Sequence, residues 1–221
     1  MIIAMEGMDG CGKSSVAKSI AKTFNYDYRA FPNKALFNMT DSEYSELCDR
    51  VYDFEDEYVK AWFFGFGNII QTKNVGNGVI LDRHLLSNYF WNGTQKSEKM
   101  FETLIDLIGK PDLTIVLYAG NKVRADRINQ RNPDDRDLKD PEKMVLGYDK
   151  MITFAGNYNL PFLVINTEKF DLAQTTKICE QVIKRAQTLS PEEVAIYCKN
   201  VNNRLKASNK EPFSQYLQEK N

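Results

Sequence analysis

Gly7-Met8-Asp9-Gly10-Cys11-Gly12-Lys13-Ser14 follows the apolar run Ile2-Ile3-Ala4-Met5 and opens a stretch of helical periodicity over 13–24. The eight residues satisfy G-x-x-x-x-G-K-[ST], and strand before, helix after is the context that motif needs. Its glycines let backbone N–H groups wrap a phosphate, and the helix N-terminus adds partial positive charge. Lys13 then reaches the outer phosphates of a nucleoside triphosphate, and Ser14 is placed to ligate Mg2+. A plain glycine turn into a helix would need none of this spacing. Cys11 sits where a helix N-terminus would stabilise a thiolate, but a small loop residue explains it as well.

Working outward, short β-rich runs at 2–5, 28–31, 79–81, 113–118 and 162–165 are each bounded by Gly, Pro, Asp or Asn. Helical periodicity fills 13–24, 56–73, 97–108, 122–130, 141–158 and 172–187. The alternation predicts an α/β fold, a parallel sheet with helices on both faces. In such sheets the ligand crevice lies beyond the carboxyl ends of the strands, here 6–12, 31–34, 82–83 and 118–120. Residues 1–189 read as one domain and 190–221 as a C-terminal helical extension. That extension opens on Ser190-Pro191-Glu192-Glu193, a capped helix start, and its helix is expected to end near Lys206.

The 221 residues are 43% hydrophobic and 27% charged, which excludes disordered and fibrous classes. Twenty-nine Lys and Arg against thirty Asp and Glu give a net charge of −1, so no global field recruits nucleic acid or an anionic membrane. Attraction to phosphate must be local. Cys11, Cys48, Cys179 and Cys198 are scattered and one histidine is present, so neither a zinc site nor a disulfide framework is expected. A reducing cytoplasm fits. No apolar run reaches membrane-spanning length, and the opening has no secretion signal.

The companions of the phosphate loop narrow the chemistry. Asn121-Lys122-Val123-Arg124 departs from the guanine-reading N-K-x-D, which argues against a GTPase switch. The run at 79–81 ends in Asp82-Arg83-His84, a carboxylate near the metal with a fixed cation beside it. That pairing suits a site where two phosphates meet against their mutual repulsion. Arg124, Arg127 and Arg131 fall at i, i+3 and i+7, one helical face that would close over phosphates, with Arg136 beyond it. Asp126, Asp134, Asp135 and Asp137 would make the same face an ordinary solvated one.

These residues resemble the thymidylate kinases, within the P-loop nucleoside monophosphate kinases. The family's E-G-x-D/E-G-x-G-K-[ST] is similar to 6–14, and its D-R-Y-x-x-S-x-x-x-x-x-G to Asp82, Arg83, His84, Ser87 and Gly93 at identical spacing. Pro111 to Leu117 is similar to the family's P-D-L-x-x-x-L, and Arg127, Arg131, Asp135 and Arg136 to its arginine-rich lid. The resemblance implies a P-loop NTPase fold with a five-stranded parallel sheet, a helical lid over about 121–140, ATP, Mg2+ and a homodimer. It implies nucleotide contacts from Gly7, Asp9, Gly10, Cys11, Gly12, Lys13, Ser14, Ser15 and Arg127, and metal contacts from Ser14 and Asp82. Asp9 would meet the acceptor sugar, Arg83 the acceptor phosphate, and Phe64 would stack on the base. Phe31, Pro32, Asn68, Ser87 and Trp91 would complete the acceptor pocket. Lys13, Arg83 and the lid cations Arg131 and Arg136 would carry catalysis.

Departures bear on the base. Asn68 stands where the family has a base-reading Arg, and Asn33 and Lys34 follow Phe31-Pro32 where it has F-P-x-R. A donor-only guanidinium has become an amide with donors and an acceptor, so acceptance of a deoxynucleoside monophosphate besides dTMP is expected. Two other readings stand beside this kinase. In one, a deoxynucleoside hydroxyl is the acceptor and Asp82 its base, against which Arg83 and Ser87 at thymidylate kinase spacing argue. In the other, the chain binds nucleotide without catalysis, against which Lys13, Asp82 and the lid arginines argue.

Overall fold

The structure is a computed structural model that describes residues 1–30, 38–135, 138 and 141–209. Strands β1 (Ile2–Glu6), β2 (Asp27–Ala30), β3 (Val79–Asp82), β4 (Leu113–Tyr118) and β5 (Phe162–Asn166) form one parallel sheet in the order β2-β3-β1-β4-β5. The central strands are mostly apolar because helices cover both their faces, with Glu6 and Asp82 at the crevice ends of β1 and β3. Register places Met5 opposite Asp82, and Glu6 opposite Val116. The crevice ends of β1, β3 and β4 therefore lie side by side.

Nine helices are found among the described residues: α1 (Lys13–Phe24), α2 (Asp41–Tyr52), α3 (Glu57–Gln71), α4 (Leu85–Asn92), α5 (Glu98–Ile108), α6 (Asn121–Arg131), α7 (Pro141–Asn157), α8 (Leu172–Ala186) and α9 (Pro191–Asn209). On one face of the sheet, Val16 and Ile20 of α1 and Val182 and Ile183 of α8 share a core with Ile3, Ile115 and Leu163. On the other, Leu86, Phe101, Leu104, Met151 and Phe154 form a second core with Val116. Each large side chain taken from water in this way contributes about 1.5–3 kcal/mol.

Helices α2 and α4 were not among the expected elements. Thr40 caps α2 by accepting from the Glu43 amide while Glu43 bonds back to Thr40. The helix buries few apolar side chains, so the cap was its signal and periodicity was not. Helix α4 spans only eight residues, and its six buried side chains are half polar, Ser87, Asn88 and Asn92 among them, so two turns give no clear apolar periodicity. Helix α3 starts where Asp56 accepts from the Tyr58 and Val59 amides. Its buried face is Ala61, Phe64, Gly65, Asn68 and Gln71.

Helix α9 runs on to Asn209, past the expected end, and sends Val194 and Cys198 into the first core. Its Asn202 accepts from the Val164 amide at 2.8 Å and donates to the Phe162 carbonyl at 2.9 Å, on the outer edge of β5. One side-chain amide thereby satisfies two of the backbone groups a sixth strand would have paired.

Candidate active site

The phosphate loop leaves β1 through two turns that only glycine fits. Gly7 has φ +130° and a Cβ there would collide with the Leu117 carbonyl; Gly10 has φ +79° and a Cβ would come within 2.7 Å of the Arg124 carbonyl. Gly12 then caps α1, and Lys13, its first residue, turns back to donate to the Met8 carbonyl at 2.9 Å. The Lys13 ammonium also lies 3.5 Å from Asp9 Oδ1. Cys11 is buried beneath the loop, while Ser14 and Ser15 are exposed at the start of α1.

Arg83 pairs with the same Asp9 oxygen. Burial alone would lower its pKa, but Asp9, Asp82 and Glu6 more than offset this and hold it above its ordinary value, fully charged. Its backbone is left-handed, φ +70°, a conformation that costs a non-glycine residue roughly 1–3 kcal/mol unless its surroundings impose it. Two contacts impose it. The Arg83 amide donates to the Met5 carbonyl at 2.9 Å. The next residues, His84, Leu86 and Ser87, direct their amides at the carboxylate of Glu6, at 3.0, 2.9 and 3.2 Å. The Ser87 hydroxyl donates to it as well. Burial pushes the Glu6 carboxyl up to about 7, against the pull of these donors and of Arg83.

Asp82, at the end of β3, accepts from the Tyr28 hydroxyl at 2.7 Å, and Ser14 lies within hydrogen-bonding reach of the same phenol. Burial, with Asp82 beside it, raises the Tyr28 pKa. Ser14, Tyr28 and Asp82 thus form a cluster of oxygen donors at the mouth of the loop. Such a small donor set suits Mg2+, which takes most of its ligands from phosphate and water.

The arginines of α6 do not share one open face. Arg124 is fully buried: its Nε donates to the Asp9 carbonyl at 2.6 Å, its guanidinium lies 6.0 Å from the Tyr148 ring centroid, and its other two nitrogens have no hydrogen-bond partner. Arg127 donates to the Gly10 carbonyl at 3.2 Å and to Thr167 at 3.1 and 3.0 Å. Both therefore latch α6 to the backbone of the phosphate loop. Arg131 is exposed and pairs with Asp135 at 3.1 Å, a surface ion pair worth little. Arg136, Phe31, Pro32, Asn33 and Lys34 lie outside the described residues.

Phe64 lies on the buried face of α3, its ring centroid 5.2 Å from Tyr52 and 5.1 Å from Phe63. Asn68 is fully buried, and its Oδ1 accepts from Asn88 Nδ2 at 3.0 Å. Asn88 Oδ1 accepts in turn from Asn92 at 3.0 Å, and Asn88 Nδ2 also faces the Ala61 carbonyl at 3.4 Å. A carbonyl only accepts, which fixes the direction of this amide chain. Among the described residues Asn68 Nδ2 has no hydrogen-bond partner. Of the donor and acceptor that the amide offers, Asn88 takes the acceptor and the donor remains. His84, beside the Asn68 backbone, is buried and pushed down to about 3, hence neutral. Ser87, expected to line the acceptor pocket, is buried against Glu6 instead. Trp91 is partly exposed next to Phe90.

The sequence reading assigned no role to Glu6, Tyr28 or Asn88. Glu6 had a visible signal, an acid ending a buried strand. Tyr28 and Asn88 had none, since strand and helix register alone bring them to their partners.

A phosphate loop at the central strand of a parallel sheet, facing a half-buried Arg across one shared carboxylate, defines a P-loop phosphotransferase. The thymidylate kinase family model matches residues 5–178, and the chain belongs to the thymidylate kinase family. The probable thymidylate kinase of Picrophilus torridus is 27% identical, over 76% of this chain and 88% of its own. The cytidylate kinase of Methanocaldococcus jannaschii is 24% identical, over 83% and 97%. Among solved structures, deoxyadenosine kinase from M. mycoides with the products dCMP and dCDP aligns with TM-score 0.63 at 20% identity, covering 84% of this chain and 99% of that one. Thymidylate kinase from Candida albicans aligns with TM-score 0.63 at 16% identity, covering 84% and 92%. The fold is the P-loop NTPase fold, and the chain is a nucleotide kinase.

Lys13→Ala is expected to abolish phosphoryl transfer while leaving the thermal unfolding midpoint within a few degrees of wild type, because the ammonium serves the loop and not either core. Turnover within about tenfold of wild type, in a coupled assay of diphosphate formation, would count against that role.

Proposed function

We propose that this enzyme transfers the terminal phosphoryl group of ATP to the phosphate of dTMP or a related deoxynucleoside monophosphate. The observation that carries the reading is the Asp9 node, which brings the cation of the phosphate loop, Lys13, and the cation of the β3 turn, Arg83, to one oxygen. Phosphates of donor and acceptor would replace that carboxylate, with Lys13 on the donor and Arg83 on the acceptor. Asp9, released, would meet the acceptor sugar.

Loop residues Gly7, Gly10, Cys11 and Gly12, with Ser14 and Ser15, would hold the donor phosphates, and Arg127 would border the nucleotide. Ser14 and Asp82 would hold Mg2+, which when bound neutralises charge on the transferred group. Arg131, its surface ion pair easily exchanged, and Arg136 would reach the transferring phosphoryl group as the lid closes. A nucleoside hydroxyl as acceptor would need Asp82 as base, and that carboxylate already takes the Tyr28 hydroxyl. The four cysteines are not joined in disulfides, and no described helix is long and apolar enough to cross a membrane; a cytoplasmic location belongs to the same reading.

The outer face of α3 exposes Tyr58, Val59, Trp62 and Phe66, the last two 41% and 48% accessible. Such an apolar stripe supports pairing with a second copy. Light scattering is expected to give twice the chain mass for wild type and the chain mass for Trp62→Glu; a monomeric wild type would refute the dimer.

Arg83→Ala removes a charge-assisted phosphate contact worth about 2–3 kcal/mol, so acceptor KM should rise on the order of 30- to 150-fold with ATP KM little changed. Equal weakening of both substrates, or a wild type that prefers nucleosides, would favour the hydroxyl acceptor.

The base follows from the amide chain. Asn68 Nδ2, enclosed beneath the surface, would donate to a base carbonyl only once a shift of α3 or its neighbours opens it to the pocket, and its side chain, shorter than Arg, leaves room for that. dTMP and dUMP should therefore exceed dCMP in kcat/KM by about tenfold or more. Asn68→Asp, which keeps Oδ1 and exchanges the NH2 donor for a second oxygen, should erase that preference; if selectivity survives it, the base is read elsewhere.

A further inference from the structure

Glu6 is fully buried, and among the described residues no cationic side chain hydrogen-bonds to it. What answers its charge is the first turn of α4. His84, the N-cap of that helix, makes no side-chain cap bond, so the amides that a capping side chain would take go instead to a carboxylate from a different strand. The turn so held is the one in which Arg83 is left-handed, and Arg83 emerges from it to meet Asp9. Glu6 thus spans the space between the last residue of β1, just ahead of the phosphate loop, and the segment that aims the acceptor cation.

We propose that Glu6 is a positioning residue for the acceptor phosphate: it acts through Arg83, whose turn it fixes, without touching substrate. The inference rests on the reading of Arg83 as the acceptor-phosphate cation. Ser87 belongs to the same device, its hydroxyl completing the ring of donors around Glu6. The raised pKa of Glu6 accords with this arrangement, since a carboxylate buried to order a turn pays in desolvation.

The experiment is steady-state kinetics of full-length Glu6→Gln and Glu6→Asp with dTMP and ATP varied separately, each variant first checked by thermal unfolding. Gln keeps the shape but turns an amide group toward donors, so acceptor KM should rise about tenfold or more while ATP KM stays within about twofold. Asp keeps the charge with shorter reach and should fall between Gln and wild type. A purely structural role would shift both KM values or neither. Adding Ser87→Ala to Glu6→Gln should cost nothing further, because both act through one carboxylate; losses that multiply would overturn the shared path. Normal dTMP turnover in wild type with an unchanged acceptor KM in Glu6→Gln would overturn the role of Glu6 alone. If Glu6→Gln does not fold, an unchanged acceptor KM in Glu6→Asp overturns it equally. A wild type that phosphorylated thymidine and not dTMP would instead overturn the acceptor reading of Arg83.

Discussion

Lys13 and Arg83 come from opposite sides of the crevice, and without an anion between them they would repel. Asp9 supplies that anion: one carboxylate oxygen serves both cations. The glycine turns at Gly7 and Gly10, the parallel register of β1 with β3, and the latching of α6 onto the loop all position this node. Charge-assisted bonds in a partly buried site are strong and directional, so one carboxylate holds the two cations side by side against their mutual repulsion.

The same economy appears behind the site. Arg124 places a full charge in the interior, bonded to a loop carbonyl and facing an aromatic ring. Burying a charge is expensive unless it is answered, and here the loop carbonyl and the Tyr148 ring meet it only in part. The position that looked like part of a mobile basic face is therefore an anchor, while Arg131, one turn beyond Arg127 on the same helix, is free to exchange its partner. A helix with a fixed beginning and a loosely held end is suited to hinge at its start.

Much of this was legible in the sequence. The five strands fall within a residue of the expected runs; for β1, β3, β4 and β5 the reason is that buried parallel strands are mostly apolar on both faces, whereas β2, Asp-Tyr-Arg-Ala, lies at the sheet margin and is only half-buried. The phosphate loop and the Asp82-Arg83 turn were readable because their chemistry dictates spacing. Helix α2 escaped because it is mostly polar, and α4 because two turns with a half-polar buried face give no clear apolar periodicity. The direction of the Asn92-Asn88-Asn68 chain was not readable at all. It depends on which amide atom faces the Ala61 carbonyl across two packed helices, and no local pattern encodes that. The same holds for Ser87, whose spacing matched a substrate contact while its hydroxyl went to Glu6.

Asn202 has a consequence for the fate of the chain outside its folded state. Strand β5 is Phe-Leu-Val-Ile-Asn, a run of high β-propensity without charge at the margin of the sheet. Such a margin is a template for a strand from another molecule and the kind of segment that seeds fibrils. By occupying the Phe162 and Val164 backbone groups, Asn202 shields the strand, and α9 holds that shield in place. Loss of α9 would uncover that margin as well as removing Val194 and Cys198 from the first core, so one helix carries both a packing and a protective duty.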